Sequence, residues 1–321
     1  MVSEELLKLA ANAYDFNTDT LNYISGSTNE IYSFSKEDKG YILRFAKKPV
    51  ECINQTIAEM DWIYYLSSNK INASLPLKTN GKLAMSAKDN NEHFIITAFE
   101  RANGIFWDKN DKNRWNSTVF FNWGKVMGDI HTLTKKYQPS DNSNLRSAFS
   151  GKDALSDSIK TCPSVSNITQ DLVKQIFNLP KDKDSYGLIH YDLHPWNFLI
   201  DGDKINVFDF DDCLYGWFTL DIGIALYHAL WWGRLNDAEF NNSIIKSFIK
   251  GYLSSNKLDD FWLQTIPMFM SFRQICKFSW FFNSNNINDE LKEEIDNIEN
   301  NILFKDYILD KSLFKINTYI E

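Results

Sequence analysis

The sequence predicts an α+β fold with a small antiparallel-sheet N-terminal lobe and a larger, mainly helical C-terminal lobe. Short apolar runs separated by polar turns fill most of the first hundred residues. After Arg101-Ala102-Asn103-Gly104 the apolar residues recur at helical spacing. One hairpin signal, Asp201-Gly202 between two apolar runs, interrupts the helical part. The 321 residues suit two lobes at about 150 residues per domain. The expected division is 1–101 and 102–321.

The elements follow in order. Leu6, Leu7, Ala10 and Ala13 place an amphipathic helix at the start. Leu21–Ser25, Ile31–Ser35 and Tyr41–Phe45 read as strands of a meander. A helix is expected from Asn54 to Ser67, with Ile57, Trp62, Ile63 and Leu66 on one side. Strands near Lys82–Ser86 and Phe94–Phe99 complete the first lobe. Phe120 to Tyr137 is helical, and residues 138–165, rich in Ser, Asn, Asp and Lys, form an irregular connection. A helix near Ile168–Asn178 precedes the hairpin, and four or five helices follow Thr219.

Composition excludes several classes. Hydrophobic residues are 44% and charged residues 24%, ordinary for a globular chain and unlike collagen or a disordered tail. The 34 Lys and Arg against 42 Asp and Glu give a net charge of −8. With no block of basic residues, nucleic acid is not an expected partner. Cys52, Cys162, Cys213 and Cys276 are scattered without a CxxC pair, which fits a reducing compartment. The N-terminus lacks the apolar core of a signal peptide. No stretch of about 18 apolar residues exists, so no membrane partner is expected. The expected location is cytoplasmic.

The densest polar chemistry lies between Gly187 and Asp221. His190, Asp192 and Asn197 precede the hairpin; Asp209, Asp211 and Asp212 follow its second strand. Asn197 and Asp209 thus start and finish neighbouring strands, with Asp192 in the loop beside them. An amide and carboxylates form a set of hard oxygen ligands. That suits Mg²⁺ with phosphate, a metal that keeps waters and takes few protein ligands. Asp201 and Asp203 are turn chemistry.

These residues carry a family resemblance. HYDLHPWN at His190–Asn197 resembles the HxDxxxxN catalytic loop of the aminoglycoside phosphotransferase and choline kinase enzymes, whose fold is protein-kinase-like. VFDFDD at Val207–Asp212 resembles their second metal motif, and TLDIGIA at Thr219–Ala225 the segment after it. GSTNEIYSF at Gly26–Phe34 is similar to their phosphate-binding turn, and YILRF at Tyr41–Phe45 to the strand with the phosphate-binding cation. Five motifs in order, across roughly residues 26 to 225, make the resemblance specific.

The resemblance implies an ATP- and Mg²⁺-dependent phosphotransferase. Asp192 would be the catalytic base, and Asn197 and Asp209 the Mg²⁺ ligands. Ser27, Thr28 and Asn29 would meet the phosphates. Arg44, where a lysine is more familiar, would be the phosphate-binding cation, oriented by Glu59 on the next helix. Lys47 and Lys48 are expected in solvent and are the substitutes for that cation. The backbone of Ala98, Phe99 and Glu100 would pair with adenine. His190 is expected as a packed loop residue and Asp221 as a brace of the loop. The acceptor is expected to be a small-molecule hydroxyl, with an amine-bearing alcohol of aminoglycoside, choline or homoserine type as the finer expectation. Asp211, Asp212, Trp217 and Trp231 would receive it, carboxylates beside aromatic faces suiting an ammonium. A Ser/Thr protein kinase and a non-catalytic kinase-like binding or structural protein stand as alternatives.

Overall fold

The computed structural model describes residues 1–26, 28–143, 145–155, 163–233, 238–282 and 311–319, with positions 289, 292 and 296. The chain divides into two compact units. One comprises residues 1–105, 136–147 and 199–213; the other comprises 106–135, 148–198 and 214–321.

The first unit is built on a five-stranded antiparallel sheet in the order β1-β2-β3-β5-β4. The strands are β1 (Asn22–Ser25), β2 (Glu30–Lys36), β3 (Lys39–Lys47), β4 (Met85–Asp89) and β5 (Glu92–Glu100). The fourth strand sits three residues beyond its expected start. Helix α1 (Glu4–Tyr14) begins at Ser3, whose side chain accepts the Leu6 N–H. It buries Leu6, Ala10 and Tyr14 against Tyr32, Phe34, Leu43, Phe45 and Ile96. Each large side chain buried in this way contributes about 1.5–3 kcal/mol. Helix α2 (Ile53–Ser68) follows β3 and buries Glu59, Met60, Trp62, Ile63 and Leu66. The hairpin of β7 (Phe198–Asp201) and β8 (Lys204–Val207) forms as expected. Its turn is the Asp-Gly pair, and Gly202 takes a positive φ of 58°.

The second unit is mainly helical: α3 (Ser117–Thr134), α4 (Pro163–Phe177), α5 (Phe218–Gly233), α6 (Ala238–Leu253), α7 (Asp260–Leu263) and α8 (Ile266–Phe282). Helix α3 starts and ends three residues before the expected positions, because Asn116 caps it by accepting from Thr118 and Val119. Helices α3 and α6 approach backbone to backbone. A Cβ at Gly124 would collide with the Phe248 carbonyl, and one at Gly251 with the Phe121 carbonyl. The two-stranded sheet of β6 (Tyr186–Ile189) and β9 (Leu214–Trp217) was not foreseen from the sequence. It brackets the catalytic-loop sequence and the start of α5. Among the described residues, no helix is long and apolar enough to cross a membrane.

Candidate active site

In the first unit, Arg44 projects from β3 and is 3% exposed. Its Nη1 and Nη2 donate to Glu59 Oε1 and Oε2, both at 3.0 Å, and its Nε donates to Thr97 Oγ1 at 3.1 Å. The guanidinium also lies 5.0 Å from the centre of the Phe99 ring. Burial opposes the charge, but Glu59, Asp211 and Asp209 outweigh it and raise the Arg44 pKa. Burial likewise pushes the Glu59 carboxyl up against the pull of Arg44. The two parallel bonds are those of an ionised pair.

Lys48, expected in solvent, belongs to this cluster. Its Nζ donates to Asp211 Oδ1 at 2.5 Å, and Asn29 Nδ2 donates to Asp211 Oδ2 at 3.2 Å. Arg44 Nη1 stands 3.7 Å from Asp211 and 4.0 Å from Asp209. Burial alone would raise the Asp211 carboxyl; Arg44 and Lys48 hold it well below the usual range. Asp211 is therefore held by Lys48 and Asn29 beside Arg44, which corrects its expected place against an acceptor. Asp212 is exposed one residue on.

The segment carrying these carboxylates is fixed from behind. Arg146 donates from Nε to the Cys213 carbonyl and from Nη2 to the Asp211 carbonyl, both at 2.6 Å. Phe210 packs edge-on against Trp62 of α2. Asp209 takes φ 63° and its side chain is half exposed. A non-glycine residue in this region costs about 1–3 kcal/mol and persists only when its surroundings enforce it.

The expected phosphate turn is partly described. Ser27 lies outside the described residues. Thr28 is exposed and Asn29 half-buried. A cavity of about 340 Å³ is bordered by Gly26, Thr28, Asn29 and Lys47. The adenine expectation needs correction. The Ala98 carbonyl accepts the Leu77 N–H and the Glu100 N–H donates to the Leu75 carbonyl, each at 2.8 Å. Phe99 pairs with Ile42 across β3. Backbone groups expected to meet a base are thus committed to the chain's own strands.

In the second unit, the loop His190–Asn197 is bolted to Asp221 in the first turn of α5. Asp221 is 1% exposed. Its carboxylate accepts the His190 N–H at 2.9 Å and the Tyr191 N–H at 2.8 Å. It also meets His131 Nε2 at 3.1 Å. Asn256 donates to the Tyr252 hydroxyl, which meets His131 Nδ1 at 2.9 Å. That order assigns the hydroxyl as donor to Nδ1 and Nε2–H as donor to Asp221. Burial lowers the His131 pKa, in keeping with a neutral ring. His190 itself is fully buried, as expected. Tyr191 is held at φ 67°.

Asp192 follows in the next position. Asn197 Nδ2 donates to its carbonyl at 2.9 Å and to its Oδ2 at 3.1 Å. His194 Nδ1 accepts the Trp196 N–H, so its Nε2–H faces Asp192 Oδ2 at 3.3 Å. Arg273 of α8 closes on Asp192 Oδ1. Burial would raise the Asp192 carboxyl; Arg273 and His194 hold it well below the usual range. The Asp192 carboxylate is thereby kept ionised and fixed on three sides.

Metal donors can be judged on the same geometry. The Asn197 amide nitrogen is spent on the loop, so its oxygen is the end suited to a cation. In the first unit, the half-exposed Asp209 carboxylate is likewise a hard oxygen donor. Among the described residues no group of three or more His, Cys, Asp or Glu forms a metal cage. Mg²⁺ bound through one or two protein oxygens needs none, and each of these oxygens, taken within its own unit, is of the hard type that Mg²⁺ takes.

The aromatic residues separate into core and surface. Trp217 is fully buried, donates from Nε1 to the Pro180 carbonyl and packs on Phe149 and Tyr186. It is core, which corrects its expected substrate role. Trp231 lies 5.1 Å from the Lys277 ammonium, which also faces Trp280 at 4.8 Å and Phe281 at 5.2 Å. The chain's own cation occupies the aromatic faces expected for an acceptor amine. The exposed Trp196, within the loop, packs on Phe106 and Trp107. The sequence reading named Lys48 only as a solvent-exposed substitute for Arg44, and missed Arg273, Lys277 and Trp196.

Comparisons with known proteins bear on the family and the fold. The model of the phosphotransferase enzyme family matches residues 21–255. Amicoumacin kinase of Bacillus subtilis (strain 168) is 33% identical over 305 residues, 90% of this chain and 89% of the relative. A solved amicoumacin kinase in complex with AMP-PNP, Ca²⁺ and Ami has a TM-score of 0.85 at 29% identity, over 94% of this chain and 92% of the other. A microcompartment-associated aminopropanol kinase, 18% identical over 92% of this chain and 94% of its own, shares the fold with a TM-score of 0.73. The chain therefore belongs to the phosphotransferase enzyme family and has its protein-kinase-like fold.

Proposed function

We propose that the chain is a small-molecule kinase, transferring the γ-phosphoryl group of ATP to a hydroxyl with Mg²⁺. The observation that carries this reading is Asp192, ionised and held beside Asn197 in a loop clamped to Asp221. The related amicoumacin kinases support it and make amicoumacin the first acceptor to test.

The chemistry a bound Mg²⁺ would supply is neutralisation of the charge that develops on the transferred group. Asn197 and Asp209 would hold it through their oxygens. Arg44, fixed by Glu59, and Lys48, fixed by Asp211, would present positive charge to phosphate oxygens. The flexible, part-exposed Lys48 is the better placed of the two to reach a ligand, since Arg44 is buried. Asp192 would accept the proton of the acceptor hydroxyl. Adenine pairing would use groups other than the committed Ala98 carbonyl and Glu100 N–H.

The test is ADP release with amicoumacin, aminoglycosides, macrolides, amino alcohols and a generic protein, with and without EDTA. Mg²⁺-dependent release with a small molecule, and a product heavier by one phosphate, is the expected result. Release only with the protein acceptor would favour a protein kinase. No Mg²⁺-dependent nucleotide binding would reject both kinase readings.

A further inference from the structure

Residues 136–147 belong to the first unit, although the helices before and after them in sequence belong to the second. They meet α2 at two levels. Asp61 of α2 accepts the Tyr137 hydroxyl at 2.7 Å, the Ser140 N–H at 2.9 Å and the Ser140 hydroxyl at 2.6 Å. The Tyr137 ring also packs on Tyr65, with centroids 5.1 Å apart. Nearer the start of the helix, Arg146 Nη1 donates to the Gln55 carbonyl at 3.2 Å. At about 1.5 Å per residue, the two levels stand about 9 Å apart along α2. In a regular helix the Gln55 carbonyl also receives the Glu59 N–H. Arg146 thus grips the helical turn that carries the partner of Arg44.

The other nitrogens of Arg146 go to the segment after β8: Nε to the Cys213 carbonyl and Nη2 to the Asp211 carbonyl. That segment is also tied beyond the far end of α2. The Val207 N–H donates to the Asn72 carbonyl at 2.8 Å, and the Val207 carbonyl accepts the Ser74 N–H at 3.0 Å. Phe210 meets Trp62 between these ends. Residues 207–213 therefore run alongside α2. Backbone bonds fix them past its C-terminus, and the Arg146 guanidinium fixes them at its first turn. Three carbonyls from two elements lie in reach of one planar fork, an arrangement that a lysine ammonium does not reproduce. The residues so held include Asp209 at φ 63°, a conformation that persists only where its surroundings enforce it.

Resting on the kinase reading above, we infer that Arg146 is a positioning residue for the binding of Mg²⁺ and nucleotide. It locks the turn from Asp209 to Cys213 onto the first turn of α2. The Asp209 carboxylate, Asp211 and the Arg44–Glu59 pair then keep one geometry. The Arg146 nitrogens are committed to backbone carbonyls, so the residue acts through the groups it holds.

The experiment is a calorimetric titration of AMP-PNP, over a series of Mg²⁺ concentrations and with EDTA. It compares wild type, Arg146→Met, Arg146→Lys and Ser140→Ala. Loss of a residue that orients a metal donor predicts that Arg146→Met weakens Mg²⁺-dependent AMP-PNP binding about tenfold to a hundredfold. Binding of metal-free AMP-PNP changes little. Arg146→Lys, which keeps the charge and loses the fork, restores part of the affinity. Ser140→Ala loosens the anchor at Asp61, lowers stability in urea and leaves the Mg²⁺ dependence as in wild type. Hydrogen exchange without ligands localises the effect. In Arg146→Met, peptides covering 53–60 and 207–213 exchange faster, while β2 and β3 keep their protection. With whichever alcohol turns over, the Mg²⁺ requirement rises and the acceptor KM is spared. Wild-type Mg²⁺-dependent affinity in Arg146→Met, exchange accelerated throughout the sheet, or equal impairment of Ser140→Ala overturns the inference. Should Arg146→Met not fold, Arg146→Lys decides: reduced Mg²⁺-dependent affinity supports the inference and wild-type affinity overturns it. A wild type without Mg²⁺-dependent AMP-PNP binding counts instead against the kinase reading, and the exchange pattern then still tests the clamp.

Discussion

Asp221→Ala tests the clamp on the catalytic loop. The substitution removes the acceptor for the His190 and Tyr191 N–H groups and for His131 Nε2, all buried. Each buried donor left without a partner costs about 1–3 kcal/mol. Two backbone donors therefore predict a loss of about 2–6 kcal/mol, a large share of the ~5–15 kcal/mol typical of a folded protein. A second effect is local. Tyr191 sits at φ 67°, a conformation costing about 1–3 kcal/mol unless enforced. Without the two bonds it relaxes, and Asp192 moves with it. A displacement of about 1 Å at a reacting group lowers turnover about a hundredfold. Urea denaturation followed by near-ultraviolet circular dichroism measures the first effect, and kcat at saturating ATP the second. A variant within about 0.5 kcal/mol of wild type, with kcat changed less than twofold, would refute the clamp. Asp221→Asn should fail to rescue, because its amide nitrogen would oppose an N–H.

Asp192→Asn should lower kcat by about 10²–10⁴-fold while Mg²⁺-dependent nucleotide binding, followed by calorimetry, persists. Arg44→Met leaves Glu59 buried without its partner and should cost about 3–5 kcal/mol in urea; Arg44→Lys, which keeps one of the two bonds, should cost less. Asp192 and Asp211 have carboxyls held below the usual range, so their contribution to stability is present above the unfolded value of about 3.9. It is lost as pH falls below that value. Lys48→Met frees Asp211 from one cation, so thermal scans from pH 6 downward should show a shallower acid loss than wild type.

The sheet and the catalytic loop were legible because their signals are local. Alternating apolar runs marked β2, β3 and β5, and His190 to Asn197 packs its chemistry into eight consecutive residues. Lys48 was misjudged because its partner, Asp211, is 163 residues away. Arg273 was invisible for a like reason: it lies 81 residues from Asp192 on a mainly apolar helix. Its one sequence trace is the four-residue spacing from Lys277 in SFRQICKF. Tryptophans at helical spacing do not declare whether they face core or solvent, so Trp217 and Trp231 were drawn together with the carboxylates near them in sequence. The small sheet of β6 and β9 escaped notice because each strand has four residues and its partner lies beyond the hairpin. The pairing of Ala98 and Glu100 with Leu77 and Leu75 was hidden by Pro76, a residue that argues against a strand.

The way the sheet unit is assembled from residues 1–105, 136–147 and 199–213 governs how the protein is made. A ribosome releases the chain in order at about 5–20 residues per second. The five sheet strands are all synthesised by residue 100, yet Lys48 and Asn29 have no Asp211 to hold, and Trp62 no Phe210 to cover it. The unit waits at least another 111 residues, several seconds of synthesis, for these partners. Throughout that interval a finished sheet exposes apolar surface and unpaired cations to other chains. Expression yield should therefore respond to chaperone supply and to slowed translation between Arg101 and Cys213 more strongly than the stability of the completed fold would suggest.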